Sequence, residues 1–366
     1  MPQFASILQE FERYRSDRRS LVLATVVATQ GSTYRKAGAM MLLDGRDAVA
    51  GLLSGGCLEG DLLIHAREVL ATGLPRLVQY DLRPDHEIVW GLGAGCEGLS
   101  TIFLQRISPD NDYGSLAAIA TARAEHTSVK LVTLLTRDGV VGAGSGVFAW
   151  QGESIGVAPG LDPGLAEALI RVLNAHSGDR PGVSVIEHQG QRLEVFVHPV
   201  PPPPTLLVLG AGPDTRPLAR FALDLGWRVI ITDHRPAYVE DGAPFPLRAE
   251  VRLGRPSDLE AQYDLAAVNA AVVMSHHFDS DLEYLRQLLA SDIGYVGLLG
   301  PARRRDKLLE RLGLNMDVPS LRAPIGLDLG GSIPESIALA IVAEIQAYLS
   351  ERSGRALSEE ARAGSV

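Results

Sequence analysis

Residues 206–209 form an unbroken apolar run, as a parallel strand covered on both faces requires, and Gly210 and Gly212 then let the backbone turn tightly into a helix. Leu218, Phe221, Ala222 and Leu225 return at helical spacing, and residues 228–232 predict a second strand with Asp233 at its end. The succession is strand, glycine turn, helix, strand, acidic tip. Thr215 stands where G-x-G-x-x-G has its third glycine, so helix and strand approach less closely there. Downstream, residues 270–274 predict a strand leading to Ser275-His276-His277, and Leu282, Leu285, Leu288 and Leu289 mark the next helix. Residues 295–299 predict another strand, and Gly300 to Arg305 open a helix through Leu312. Ser332 and Glu335 read as a capping box for a last helix to about Ser350, with Ile337, Ile341 and Ile345 inward.

The first half of the chain alternates differently. Phe4, Ile7, Leu8 and Phe11 give residues 3–15 the spacing of a short amphipathic helix, and residues 21–29 predict a buried strand. A polar loop at 31–38 carries Arg35 and Lys36, and a hairpin follows from 39–43 and 48–53 around Asp44-Gly45. A helix ending at the C-cap Gly73, a strand at 76–82, a polar loop and a strand at 100–107 come next. Residues 116–124 and 164–175 predict helices; 129–136, 140–150, 183–187 and 193–197 predict strands. The expected fold is therefore α/β: a mixed domain over 1–200, a semi-rigid Pro-Pro-Pro-Pro linker at 201–204, a Rossmann-like parallel-sheet domain over 205–350, and a frayed tail at 351–366.

Composition narrows the partners. With 366 residues and 46% apolar content the chain can bury cores for two or three domains, and a net charge of -10 without basic runs argues against nucleic acid as a partner. The first residues carry charges and lack the apolar core of a signal peptide, and no stretch approaches a membrane span, so a cytoplasmic protein is expected. Neither a G-x-x-x-x-G-K-[ST] loop nor a G-x-S-x-G elbow occurs, which argues against an NTPase and against that kind of hydrolase.

The two cysteines, Cys57 and Cys96, lie in glycine-rich turns of similar wording, GGCLEG at 55–60 and GAGCEG at 93–98. Bare amides in such turns make an anion nest, and a thiol beside one is exposed to whatever docks there; the competing reading is a buried small hydrophobe in a sharp turn. Cys57 precedes a helix, whose N-terminal charge favours thiolate, whereas Glu59 and Asp61 oppose it. A soft thiolate beside such amides suits a ligand with both a sulfur-coordinated metal and a phosphate. In the second half, Gly210 and Gly212 would lie under a nucleotide's phosphates and Asp233 would accept hydrogen bonds from a ribose diol; NAD(P) or another nucleotide would satisfy them. His276, at the end of a strand, can reach the glycine turn; of the adjacent pair, only one histidine can point that way. Arg303 to Arg305 read as either a phosphate site or a solvated face, and Asp328 as a site acid or a turn former.

The blocks TVVATQGSTYRKAGAMML, LLSGGCLEGDL, WGLGAGCEGL, VLGAG, VVMSHH, YVGLLGPARRRDKL and PIGLDLGGSIPESIALAIVAEI, in this order, resemble the XdhC/CoxI family, maturation factors for xanthine and carbon monoxide dehydrogenases. The resemblance covers roughly 12–106 and 205–350. It implies a protein that binds molybdenum cofactor, protects it during addition of the terminal sulfur, and hands it to an apo molybdenum hydroxylase. By resemblance, Cys57 contacts the cofactor and its molybdenum, Cys96 falls on the second loop, and Arg35 can pair with the pterin phosphate. Pro213-Asp214 departs from the histidine that many members carry after GAG, and His198 stands where some members have glutamate. The expected cofactor-binding set is Arg35, Gly55, Gly56, Cys57, Glu59, Gly95, Cys96, Gly210, Gly212, Asp233 and His276. The cofactor is molybdopterin or its cytosine dinucleotide. A cysteine desulfurase as sulfur donor and a homo-oligomeric state are also expected. Such a chaperone need not catalyse a reaction. The alternatives are an NAD(P)-dependent oxidoreductase using the Rossmann site with His276 as acid or base, and a nucleotide-sensing module that regulates a partner.

Overall fold

The computed structural model describes residues 3–83, 98–141, 146–150, 154–239, 245–246 and 248–359. The chain divides into two compact units, Gln3–Pro202 and Pro203–Val366.

The first unit opens with α1 (Gln3–Ser16), which buries Phe4, Ile7 and Phe11 as their spacing predicts. There follow β1 (Leu21–Gly31), the hairpin β2 (Met40–Leu43) and β3 (Ala48–Gly51), α2 (Glu59–Thr72), β4 (Arg76–Asp81) and β5 (Gly98–Ile107). Gly73 ends α2 with φ 73°, its amide bonded to the Val69 carbonyl. Among the described residues these strands form an antiparallel sheet in the order β3-β2-β1-β5-β4. β1 is the middle strand: residues 21–27 are buried, Thr25 pairs with Met40 on one side, and on the other the register runs from Leu21↔Ile107 to Gly31↔Gly98.

A second sheet completes this unit. Its elements are α3 (Gly114–Ala124), β6 (Val129–Arg137), β7 (Val140–Val141), β8 (Gly146–Trp150), β9 (Ser154–Val157), α4 (Pro163–Ala175), β10 (Gly182–His188) and β11 (Gln191–Val200). The order is β10-β11-β6-β8-β9, with β7 paired to β6. The stretch 140–150, read as one strand in the sequence, is two, both antiparallel to β6. Val27, Phe103, Leu135 and Phe196 pack together and join the two sheets. Beside them on β11, His198 is 2% exposed, with its Nδ1 lacking a hydrogen-bond partner. A Cβ on Gly38 would lie 2.9 Å from His198 Nε2, and Gly38 has φ +90°, so only glycine lets the loop after β1 lie on this strand.

The second unit carries β12 (Thr205–Leu209), α5 (Thr215–Asp224), β13 (Arg228–Asp233), β14 (Glu250–Leu253), β15 (Ala270–Val273), α6 (Phe278–Ala290), β16 (Val296–Leu298), α7 (Ala302–Leu312), β17 (Leu321–Arg322) and α8 (Pro334–Leu349). Its sheet is wholly parallel, in the order β14-β13-β12-β15-β16-β17. Counted from β12 this is the Rossmann order, which reverses between β12 and β15. Leu206 and Val208 enter one core with α5 and α8, and Leu207 and Leu209 enter the other with α6 and α7. The unbroken apolar run is explained by burial on both faces. The Ser332–Glu335 capping box does not form. Pro334 takes the first helical position with Ile333 as N-cap, and the Ser336 hydroxyl donates back to the Ile333 carbonyl at 2.9 Å.

Burial lowers the His198 pKa from 6.5 to about 4. The unfolded chain therefore takes up this proton first, so stability is complete above pH 6.5 and declines as pH falls towards 4. In urea unfolding, this group is expected to cost the wild type about 2 kcal/mol between pH 7.5 and pH 5. A His198→Phe variant should lack that component; an unchanged pH dependence would count against it.

Candidate functional site

In the first unit the pairings of β1 with β2 and of β2 with β3 bring two loops to one end of the sheet. The loop carrying Arg35 leaves from Gly31, and the loop carrying Gly55, Gly56 and Cys57 leaves from β3, whose Gly51 pairs with Met41. The chain returns into β5 at Gly98, beside Gly31. Gly95 and Cys96 lie outside the described residues. A Cβ on Gly98 would meet the Ser32 carbonyl oxygen at 2.5 Å and Thr33 Cγ2 at 2.6 Å, so this glycine is required for close packing of the Arg35 loop. The exposed ring of Tyr34 reaches to 3.9 Å from a Cβ built on Gly55, linking the Arg35 loop to the cysteine loop.

Within the cysteine loop the amides turn inward. Ser54 is buried, and its Oγ accepts from the Gly56 amide at 3.2 Å and the Leu58 amide at 3.1 Å. Glu59 accepts from the Ser54 amide at 3.2 Å, from the Leu58 amide at 3.1 Å, and from the Ser54 hydroxyl. Glu59, expected in the cofactor-binding set, thus serves the start of α2, where a carboxylate also meets the positive end of the helix. Gly56 has φ +109° with nothing near a Cβ, so it is needed for its backbone conformation alone. Cys57 is a free, half-buried thiol packed against the core of Leu58, Leu62 and Tyr80. What this end of the sheet offers a ligand is a thiol, an aromatic ring and the cations Arg35 and Lys36. The chemistry of that donor set fits a sulfur-coordinated metal attached to a flat, anionic pterin.

In the second unit the crevice lies where the strand order reverses. Gly210 has φ +128°, and a Cβ there would meet the Met274 carbonyl oxygen at 2.5 Å, so the turn after β12 passes directly against the end of β15. Thr215, in place of the third glycine, is buried and donates from Oγ1 to the Gly210 carbonyl at 2.9 Å. Asp233 is fully buried. Its Oδ1 accepts from the Arg235 amide and Nε, both at 2.9 Å, and its Oδ2 from Arg235 Nη2 at 2.7 Å and the Ala211 amide at 2.8 Å. Burial alone would raise its pKa, but these donors, Arg235 foremost, hold it below the usual carboxylate value. The donors that a ribose diol was expected to supply come from the chain itself.

His276, in the left-handed region at φ 61°, reaches the glycine turn: Nε2 lies 2.8 Å from Asp214 Oδ2. His277 instead caps α6, its Nδ1 accepting from the Ser280 amide at 3.3 Å. Behind them, buried Asp281 accepts from the Ser275 hydroxyl at 2.5 Å and from Arg304 Nη2 at 2.6 Å. Arg305 donates to the Ala323 carbonyl at 2.9 Å. Two of the three arginines at the start of α7 are therefore engaged within the protein. Asp214, Ser54 and Asp281 were not singled out in the sequence as site-forming; a serine or aspartate beside glycines is too common a turn signal to distinguish them. Among the described residues, no group of three or more His, Cys, Asp and Glu is placed to hold a metal ion.

Residues 206–345 match the XdhC Rossmann domain, and residues 14–81 match the model of the XdhC and CoxI family. A protein of Bacillus subtilis (strain 168), named as a probable subunit of xanthine dehydrogenase, is 33% identical over 330 residues, covering 90% of this chain and 93% of its own length. The chain belongs to the XdhC and CoxI family. A crystal structure described as a xanthine dehydrogenase from Bacillus halodurans is 31% identical, covers 95% of this chain and 97% of that one, and superposes with a TM-score of 0.77. The uncharacterized protein YqeB of Escherichia coli (strain K12) is 29% identical over 166 residues, 43% of this chain and 29% of that protein. For this XdhC/CoxI chain, the two half-matches coincide with the two loop systems just described: Arg35 and Cys57 fall in the first, the glycine turn and His276 in the second.

Three variants test this geometry. Gly98→Ala, which forces a Cβ onto the Ser32 carbonyl, is expected to lose about 2 kcal/mol in denaturant unfolding, whereas Gly60→Ala in the open first turn of α2 should be neutral or stabilising. Arg304→Ala leaves the Asp281 carboxylate buried and unpaired, and is expected to lose about 3 kcal/mol by the same measurement.

Proposed function

We propose that this XdhC/CoxI protein is an accessory factor that holds molybdenum cofactor for a xanthine dehydrogenase-type molybdenum hydroxylase, protects it during sulfuration, and releases it into the apo enzyme. The observation that carries the reading is the convergence of the Arg35 loop and the Cys57 loop at one end of the first sheet, where the Tyr34 ring reaches Gly55. The relatives named after xanthine dehydrogenase support the class of client. When bound, the cofactor supplies the molybdenum and pterin that the client enzyme uses. Cys57 holds the metal end, Tyr34 covers the ring system, and Arg35 with Lys36 meets the phosphate. Glu59 and Ser54 accept the Ser54, Gly56 and Leu58 amides, so the chain's own groups brace the loop. A cysteine desulfurase is the sulfur donor in this reading.

The crevice of the second unit takes a nucleotide in this proposal, either as a regulator or as the nucleotide part of a dinucleotide cofactor. A nicotinamide-dependent oxidoreductase is less well supported, because it leaves the Arg35 and Cys57 loops of the first unit without a role. The test is retention of released molybdenum cofactor through gel filtration, counted as molybdenum and pterin. Wild type is expected to retain both, and Cys57→Ala to lose most of both while keeping its melting temperature. Retention by neither protein would remove the proposal, as would equal maturation of apo hydroxylase in cells with and without this protein.

A further inference from the structure

The second glycine of a dinucleotide-binding turn lacks a side chain so that the backbone can approach a pyrophosphate. Here that space has an occupant. A Cβ built on Gly212 would lie 2.6 Å from Asp214 Oδ1, so the Asp214 carboxylate folds back over the turn. Its other oxygen is held by His276 Nε2 at 2.8 Å, from the strand end across the crevice. Asp214 is the N-cap residue of α5, yet its side chain makes no capping bond to the helix amides. Pro213 removes one N–H from the turn, and the Ala211 amide is committed to Asp233.

We propose that Asp214 is a built-in occupant of the phosphate subsite, latched there by His276, and that it sets the selectivity of the crevice against phosphate-bearing ligands. This rests on the reading that the crevice takes a nucleotide. A phosphate at Gly212 would meet a carboxylate at close range, and the pair repels unless the carboxylate swings away. The crevice therefore distinguishes a nucleoside from its phosphates. It takes the phosphorylated form only in competition with its own side chain.

The probes are adenosine and ADP, titrated calorimetrically into wild type, Asp214→Asn and Asp214→Gly in magnesium-free buffer. Asp214→Asn removes the charge and keeps the bulk; Asp214→Gly removes both. ADP is expected to bind the two variants about ten- to a hundredfold more tightly than wild type, with adenosine changed little. If adenosine binds all three proteins and ADP gains nothing in either variant, the latch is overturned while the nucleotide reading stands. If neither probe binds any of the three, both fall. Melting curves of the variants separate a misfolded protein from a binding result.

Discussion

β1 is the strand on which the first unit depends. It is hydrogen-bonded on both edges and buried over residues 21–27, and each of its Leu and Val side chains contributes about 1.5–3 kcal/mol on leaving water. That burial fixes the register, because a slip of one residue would turn the whole buried set outward. With the register fixed, Gly31 stands beside Gly98, so the Arg35 loop leaves β1 where the chain enters β5. On the other edge β2 pairs with β1 and β3 with β2, so the Cys57 loop leaves from the same end of the sheet as the Arg35 loop.

In the second unit the corresponding constraint is electrostatic. Two buried carboxylates, Asp233 and Asp281, stand at the C-terminal edge of the parallel sheet, and each is matched by one guanidinium, Arg235 and Arg304. Removing a charge from water costs several kcal/mol, so each aspartate is tolerable only with its partner in place. Asp233 ties the tip of β13 to the glycine turn, and Asp281 ties α6 to Ser275 and to α7. The crevice rim is thereby braced from within. The exposed pair, His276 with Asp214, is what remains facing a ligand.

Much of this architecture was legible in the sequence because it rests on local patterns. The apolar run before Gly210, the helical spacing after it, and the alternation of strands and helices were enough for the Rossmann half. The pairing of β1 with β5 was not legible, since the partners are far apart in sequence and nothing local names them. The inward turn of the GGCLEG amides depends on Ser54 and Glu59 meeting across the loop, a geometry that glycine spacing alone does not specify. Asp233 was visible as an acidic tip, but Arg235 bending back onto it was not. The capping box at Ser332 failed for a simpler reason: Pro334 is better suited to the first helical position than Ile333.

His276 adopts a left-handed conformation that an L-residue other than glycine pays for with about 1 kcal/mol or more. That turn of the backbone sets the two adjacent side chains apart, so that His276 faces the glycine turn while His277 caps α6.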